Sequence, residues 1–240
     1  MIRAEARKIL ATRRTMIVLV IALLAVVAVG TAGTVDSAAD NVFNRDEETV
    51  HDVLSGAAGT TVFFALVLGL LIVTWEYHHR TMTHTLLAAP RRERVLGAKA
   101  VAALVCGVLF AAAAALLALI IALPWLGAGS ELGGQDLWTG VGRVFLGSAS
   151  WGVLGIAVGA IVGSQVGAIV SSLLWLLVAE PILTVVPRDV AQFLPAHAMQ
   201  ALLGFDTDVL STGAGIGLTA GYLALFSALG IVVTLRRDIV

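Results

Sequence analysis

Residue types that do chemistry are sparse in this chain, and most lack the company their chemistry needs. His78, His79 and His84 lie close together, and imidazoles ligate zinc. A zinc site, however, takes three or four ligands at set spacings. No cysteine and no second acidic cluster stands beside them, so they read as solvated interfacial histidines. The only lysines are Lys8 and Lys99, and neither follows the glycine pattern of a phosphate-binding loop. There is no G-x-S-x-G elbow and no H-E-x-x-H pair. The chain is therefore read as a non-enzyme, with no catalytic, metal or cofactor-binding residue of its own. Cys106 is the single cysteine, which excludes a disulfide within the chain. What remains is a set of ionisable residues in or beside apolar runs, where charge is costly and invites a functional reading. Glu76 stands next to Tyr77 and near Arg80, Arg143 lies inside a fourth apolar run, and Glu180 is followed by Pro181. A helix rises about 20 Å from Gly167 to Glu180. That puts Glu180 toward the outer leaflet, at a depth where Arg143 can pair with it. Snorkelling of both groups to the headgroups is the plainer alternative.

The elements that carry these residues follow from composition. The chain has 240 residues, 59% hydrophobic and 13% charged, with a mean hydropathy of +0.97. A soluble domain has no place for so much apolar surface, so the bilayer is the solvent. Six runs are long enough to cross it as helices: 16–35, 56–75, 95–126, 137–162, 166–186 and 210–235. Alternating short strands are absent, which argues against a barrel. A basic leader and the small residues of "AVGTAG" suit a cleaved signal, but the first run is long and the leader is patterned, so it is taken as a span.

Orientation comes from Lys and Arg. The leader carries Arg3, Arg7, Lys8, Arg13 and Arg14, the second-to-third connection Arg80, Arg91, Arg92, Arg94 and Lys99, and the tail Arg236 and Arg237. An even number of spans puts all three on one side, the cytoplasm. The opposite connections are acidic, with Asp36, Asp40, Asp46, Glu47, Glu48 and Asp52 in the first of them. Basic clusters on such a chain report topology, and no nucleic-acid partner is inferred.

Three further segments are patterned. In the leader, Ile2, Ala6, Ile9 and Leu10 recur at helical spacing opposite a charged face, as in an amphipathic helix lying at the headgroups. In "HHRTMTHTLLAAPRRERVLGAK", Met82, Leu86 and Ala89 share a stripe with Leu87 alongside, and Pro90 breaks or restarts the helix. Such a helix suits either the membrane surface or a partner's groove. Gly155, Gly159, Gly163 and Gly167 repeat every four residues, a small-residue stripe that lets another helix approach closely. Before the last span, Pro195 can open a short helix with Leu194, Ala198, Ala201 and Leu202 on its apolar face.

Together the amphipathic leader, six spans, the "E…RTMTHTLLAAPRRERVLGAK" connection and the "WLLVAEP" and "FLPAHAMQALLG" stretches resemble the permease subunit of ABC type-2 exporters. The resemblance covers nearly the whole chain, and its firmer motifs are Glu76–Thr81–Pro90–Arg92–Lys99 and the region of Glu180. It implies an all-α polytopic membrane protein forming one permease domain over 1–240. Residues 1–14 would be an elbow helix, 80–89 a cytoplasmic coupling helix, and 187–209 an outer loop with short helices. Glu76, Arg80, Thr81, Thr85, Leu86, Leu87, Pro90 and Arg92 would couple to a separate ATPase subunit, which would hold the ATP and Mg. Phe63, Phe64, Trp175, Leu176, Glu180 and Pro181 would form the pathway and outer gate, and Gly155, Gly159 and Gly163 would pack helices. A second permease copy, a bacterial plasma (inner) membrane and cytoplasmic termini complete the expectation. Few charges and several aromatics in the spans suit a lipophilic or amphipathic cargo. The rivals are an ion-driven secondary transporter, a non-transporting scaffold or immunity protein, and an intramembrane enzyme.

Overall fold

The computed structural model describes residues 13–39, 47–78, 92–126, 135–183, 192–204 and 210–236. Every regular element among them is helical: α1 (Arg13–Ala39), α2 (Glu47–His78), α3 (Arg92–Leu126), α4 (Gln135–Val162), α5 (Gln165–Leu174), a π-helical turn (Trp175–Ala179), α6 (Glu180–Leu183), α7 (Pro195–Leu203) and α8 (Thr212–Arg236). Among the described residues, five helical stretches are long and apolar enough to cross a membrane: Ala57–Tyr77, Gly97–Ile121, Trp138–Val162, Gln165–Leu183 and Thr212–Arg236. α1 carries a shorter apolar stretch, Ile17–Ala32. Residues 1–12 of the expected elbow segment 1–14 and the whole of the expected coupling segment 80–89 lie outside the described residues, as does His79, while residues 13–14 open α1.

The centre of the bundle is the α2–α4 pair. α3 lies along both helices, α1 packs on α2 and α3, and α8 packs on α4. Glycine determines how close the central pair comes. A side-chain carbon at Gly155 would fall 2.2 Å from the Leu66 carbonyl oxygen, and one at Gly69 would fall 2.0 Å from that of Gly152. Backbone thus lies on backbone across this contact, the arrangement that small-residue stripes permit in lipid. The stripe is used within the chain. Its third member departs from the expected role: α4 ends at Val162, and Gly163 occupies the turn with φ 70°, a conformation that disfavours residues with a Cβ. Ser164 then caps α5 by accepting from the Gly167 amide.

Two apolar clusters fill the interior. Leu23, Val27, Leu68, Val73, Phe110 and Ile156 belong to one, and Val62, Leu66, Leu70, Trp151, Met199 and Leu202 to the other. Inside the bundle, Thr61, Thr74 and Thr234 donate to carbonyls one turn back, on Ala57, Leu70 and Gly230. This back-bonding is how a helix carries a hydroxyl through an apolar layer. α5 and α8 present large apolar side chains outward, among them Val166, Val170, Leu174, Leu229 and Val232. A surface of that kind belongs in lipid.

Candidate functional site

Two buried polar sites stand at opposite ends of the bundle. The first joins the last turn of α2 to the early part of α3, at the base of the connection formed by residues 79–91. Lys99 Nζ lies 2.9 Å from Glu76 Oε1, with side chains 0% and 4% exposed. The same ammonium donates to the Ile72 carbonyl at 3.2 Å. Ile72 and Glu76 are one helical turn apart and therefore share a face of α2. On α3, Lys99 heads a buried stripe that continues through Ala103, Phe110 and Ala114. Here the sequence reading is corrected. Lys99 is turned into the bundle, away from the solvated loop charges with which it was counted, and it is a partner of Glu76. An ion pair between desolvated groups holds only when both members are present, since removing one strands the other.

The second site surrounds Glu180. The chain approaches it through the π-helical turn, in which the Glu180 amide donates to the Trp175 carbonyl. Pro181 follows directly. It has no N–H, and its ring crowds the carbonyl four residues back; a wider turn just before it accommodates that defect. Glu180 is 2% exposed. Its Oε1 accepts from the Ala196 amide at 2.5 Å, and the Trp175 side chain and His197 also interact with the carboxylate. Ala196 is in the first turn of α7, whose N-cap residue, Leu194, offers no side-chain acceptor. Pro195 at N1 removes one orphan donor and Glu180 satisfies another, so a residue of the preceding span caps this helix. From α8, Tyr222 Oη donates to the Phe193 carbonyl and fixes the approach to the same turn.

Arg143 occupies the other end of α7. The helix stops at Gly204, with φ 84° and ψ 20°, and a side-chain carbon there would fall 1.9 Å from Arg143 Nη1. The direct pairing of Glu180 with Arg143 is not made. An anion sits at the N-terminus of α7 and a cation at its C-terminus, each at the pole of the helix dipole that favours it. The nine residues of α7 separate the two by about 13 Å.

Between α2, α4, α5, α7 and α8 lies a cavity of about 550 Å³, within the range that accepts small-molecule ligands. Its walls are mostly apolar, Trp151, Leu154 and Phe226 among them, with Ser171, Ser172 and Tyr222 supplying hydroxyls. Of the expected pathway residues, Trp175 and Leu176 line it. Glu180 and Pro181 lie just beyond Trp175 in sequence, and Glu180 meets the wall through Trp175. Phe63 and Phe64 are elsewhere: their rings pack edge to face at 6.0 Å, and Phe64 leans on the core containing Leu68 and Phe110. Of the expected coupling residues, Glu76 is in the base ion pair and Arg92 opens α3. Arg80, Thr81, Thr85, Leu86, Leu87 and Pro90 lie outside the described residues.

Sequence reasoning missed Tyr222 as a site residue, and it placed Lys99 in one motif with Glu76 without pairing the two. One signal was available. The chain has two tyrosines, and Tyr222 is in the middle of an apolar run, where a phenol needs a partner. Among the described residues no group of three or more His, Cys, Asp or Glu side chains comes together. No protein-family model and no curated protein matches this chain.

Proposed function

We propose that this chain is the transmembrane subunit of an ATP-driven exporter, a permease of the ABC type-2 kind. It forms the cargo pathway in a bacterial inner membrane and is moved by a separate ATPase subunit. In this reading α1 is the first of six spans, residues 1–14 are the elbow helix, both termini are cytoplasmic, and a second permease copy completes the pathway. The observation that carries the reading is the buried Glu76–Lys99 pair. It ties together the two helices between which residues 79–91 are strung. A segment anchored in that way passes a push on to both spans, where a slack loop would absorb it. The motor supplies the energy through its differential affinity for nucleotide in two states of the complex. The mostly apolar 550 Å³ cavity supports an amphipathic or lipophilic cargo, such as a drug, lipid or peptide.

The test is co-purification of an ATPase subunit with the chain, followed by substitution in the coupling segment. Leu86→Asp and Leu87→Asp are expected to uncouple ATP hydrolysis from transport while leaving the chain in the membrane. Full transport with full cargo-stimulated hydrolysis in both variants would refute the lever. Transport by the purified chain alone would favour the ion-driven reading, in which Glu180 beside its broken helix would serve as the ion site.

A further inference from the structure

α7 is held in two different ways along its short length. Its second half is anchored by packing: Met199, Leu202 and Leu203 are buried, and Leu203 and Met199 close on the space beside Gly147 of α4. Arg143 covers its C-terminal cap at Gly204. Its first turn is held by polar contacts, from Glu180 to the Ala196 amide and from Tyr222 to the Phe193 carbonyl. Leu194 and Pro195, at that same turn, form part of the cavity wall. The part of α7 that closes the cavity is thus latched by hydrogen bonds, whereas the part remote from it is fixed by apolar burial.

We propose that the first turn of α7 is a flap over the cavity, latched by the Glu180 carboxylate and the Tyr222 hydroxyl and pivoting on the buried second half of the helix. The latch adjoins the cavity, since Tyr222 is part of its wall. Trp175 lines the cavity and also interacts with Glu180, so a molecule pressing on the indole bears on the acceptor that holds Ala196. The π-helical turn between Trp175 and Glu180 has the wider hydrogen-bonding register that accommodates such movement. Breaking the latch exposes a small number of backbone donors and acceptors and leaves the packing of Met199 and Leu202 intact. The flap gives the proposed pathway a closure belonging to this chain alone, and it stands or falls separately from any coupling to an ATPase.

The experiment uses the purified full chain in lipid nanodiscs, without an ATPase or cargo. Cys106 is replaced by alanine, and a single cysteine is placed either at the flap, Leu194→Cys, or at the pivot, Met199→Cys. The readout is the rate of alkylation by N-ethylmaleimide. Glu180→Ala and Tyr222→Phe should each raise the rate at the flap about tenfold, the change in open population expected on loss of one hydrogen bond. Glu180→Gln keeps an acceptor oxygen for Ala196 and should change that rate less than about threefold. The pivot cysteine should stay protected throughout. An unchanged flap rate in Glu180→Ala or in Tyr222→Phe overturns the latch, as does an equal rise at the pivot, which would mean general loosening. If Glu180→Ala does not reach the folded state, Tyr222→Phe decides by the same criterion, because it removes a hydroxyl without stranding a charge.

Discussion

Lys99 shows how one side chain acquires a role that its position in the sequence conceals. A lysine at the start of an apolar run ordinarily extends its ammonium to the headgroups. This one points inward because Glu76 and the Ile72 carbonyl offer acceptors on one face of α2. Lys99→Met should therefore lower stability by about 3–5 kcal/mol, the usual consequence of breaking a buried pair from one side. The double variant Glu76→Met with Lys99→Met should recover most of that loss, since an apolar pair leaves no charge stranded. Thermal unfolding of the single and double variants in one detergent checks both expectations. A double variant no more stable than Lys99→Met would show that the pair is not the unit of stabilisation.

Individual helices are positioned by small residues and by ends. The α2–α4 contact depends on Gly155, where even a methyl group has no room beside the Leu66 carbonyl. Gly155→Ala is expected to destabilise the bundle by about 1–3 kcal/mol, as overpacking does. Gly59, on the same α2, has nothing within 4 Å of an added carbon, so Gly59→Ala should be neutral or stabilising by about 0.5–1 kcal/mol through reduced backbone freedom. The two variants share a chemistry and differ only in surroundings. Equal unfolding midpoints would contradict the close approach. At α7, both poles of a short helix are served by side chains from other elements. Gly204→Ala should be harmful for two reasons: the left-handed conformation costs a Cβ-bearing residue about 1–2 kcal/mol, and the added carbon collides with Arg143.

At the scale of the molecule, one end of the bundle has an ion pair joining two spans, and the other has a short helix capped by a span. Residues 79–91 attach at the first end, and the cavity adjoins the second through Trp175, Leu194 and Pro195. For a permease driven from inside, this is the order the parts require: a lever at the base, a cavity in the middle and a closure beyond it. The reading predicts that both termini face the cytoplasm. Reporter fusions at the N- and C-termini should therefore report the same side, opposite to a reporter placed near Asp46. Termini on opposite sides would mean an odd number of crossings, and with it the loss of the six-span architecture.

Most of the architecture was legible in the sequence, because helix formation across a bilayer is a one-dimensional matter. A run of apolar residues with no water to satisfy its backbone has to close its hydrogen bonds within itself, so the runs from 56 onward gave helices with ends close to those found, except that α2 begins earlier, at Glu47, with a polar first part that no apolar run marks. The glycine stripe likewise announced a close contact, and Pro195 announced α7. What the sequence left open were the choices made between helices. It placed Glu180 and Arg143 at one depth, yet only the packed bundle put α7 between them and turned an expected pair into two helix caps. It counted Lys99 among the loop charges, and only the approach of α2 to α3 supplied the acceptors that bring it inside. It could not say which helix faces meet a cavity, since an apolar face looks alike whether it meets lipid, core or cavity: Phe64 packs on the core of Leu68 and Phe110, and Trp175 and Leu176 line the cavity. The physical reason is common to all three. Hydrophobicity fixes whether a segment enters the membrane, but it is non-directional. The partner of each buried charge and the lining of each cavity are set by distances between residues far apart in the chain.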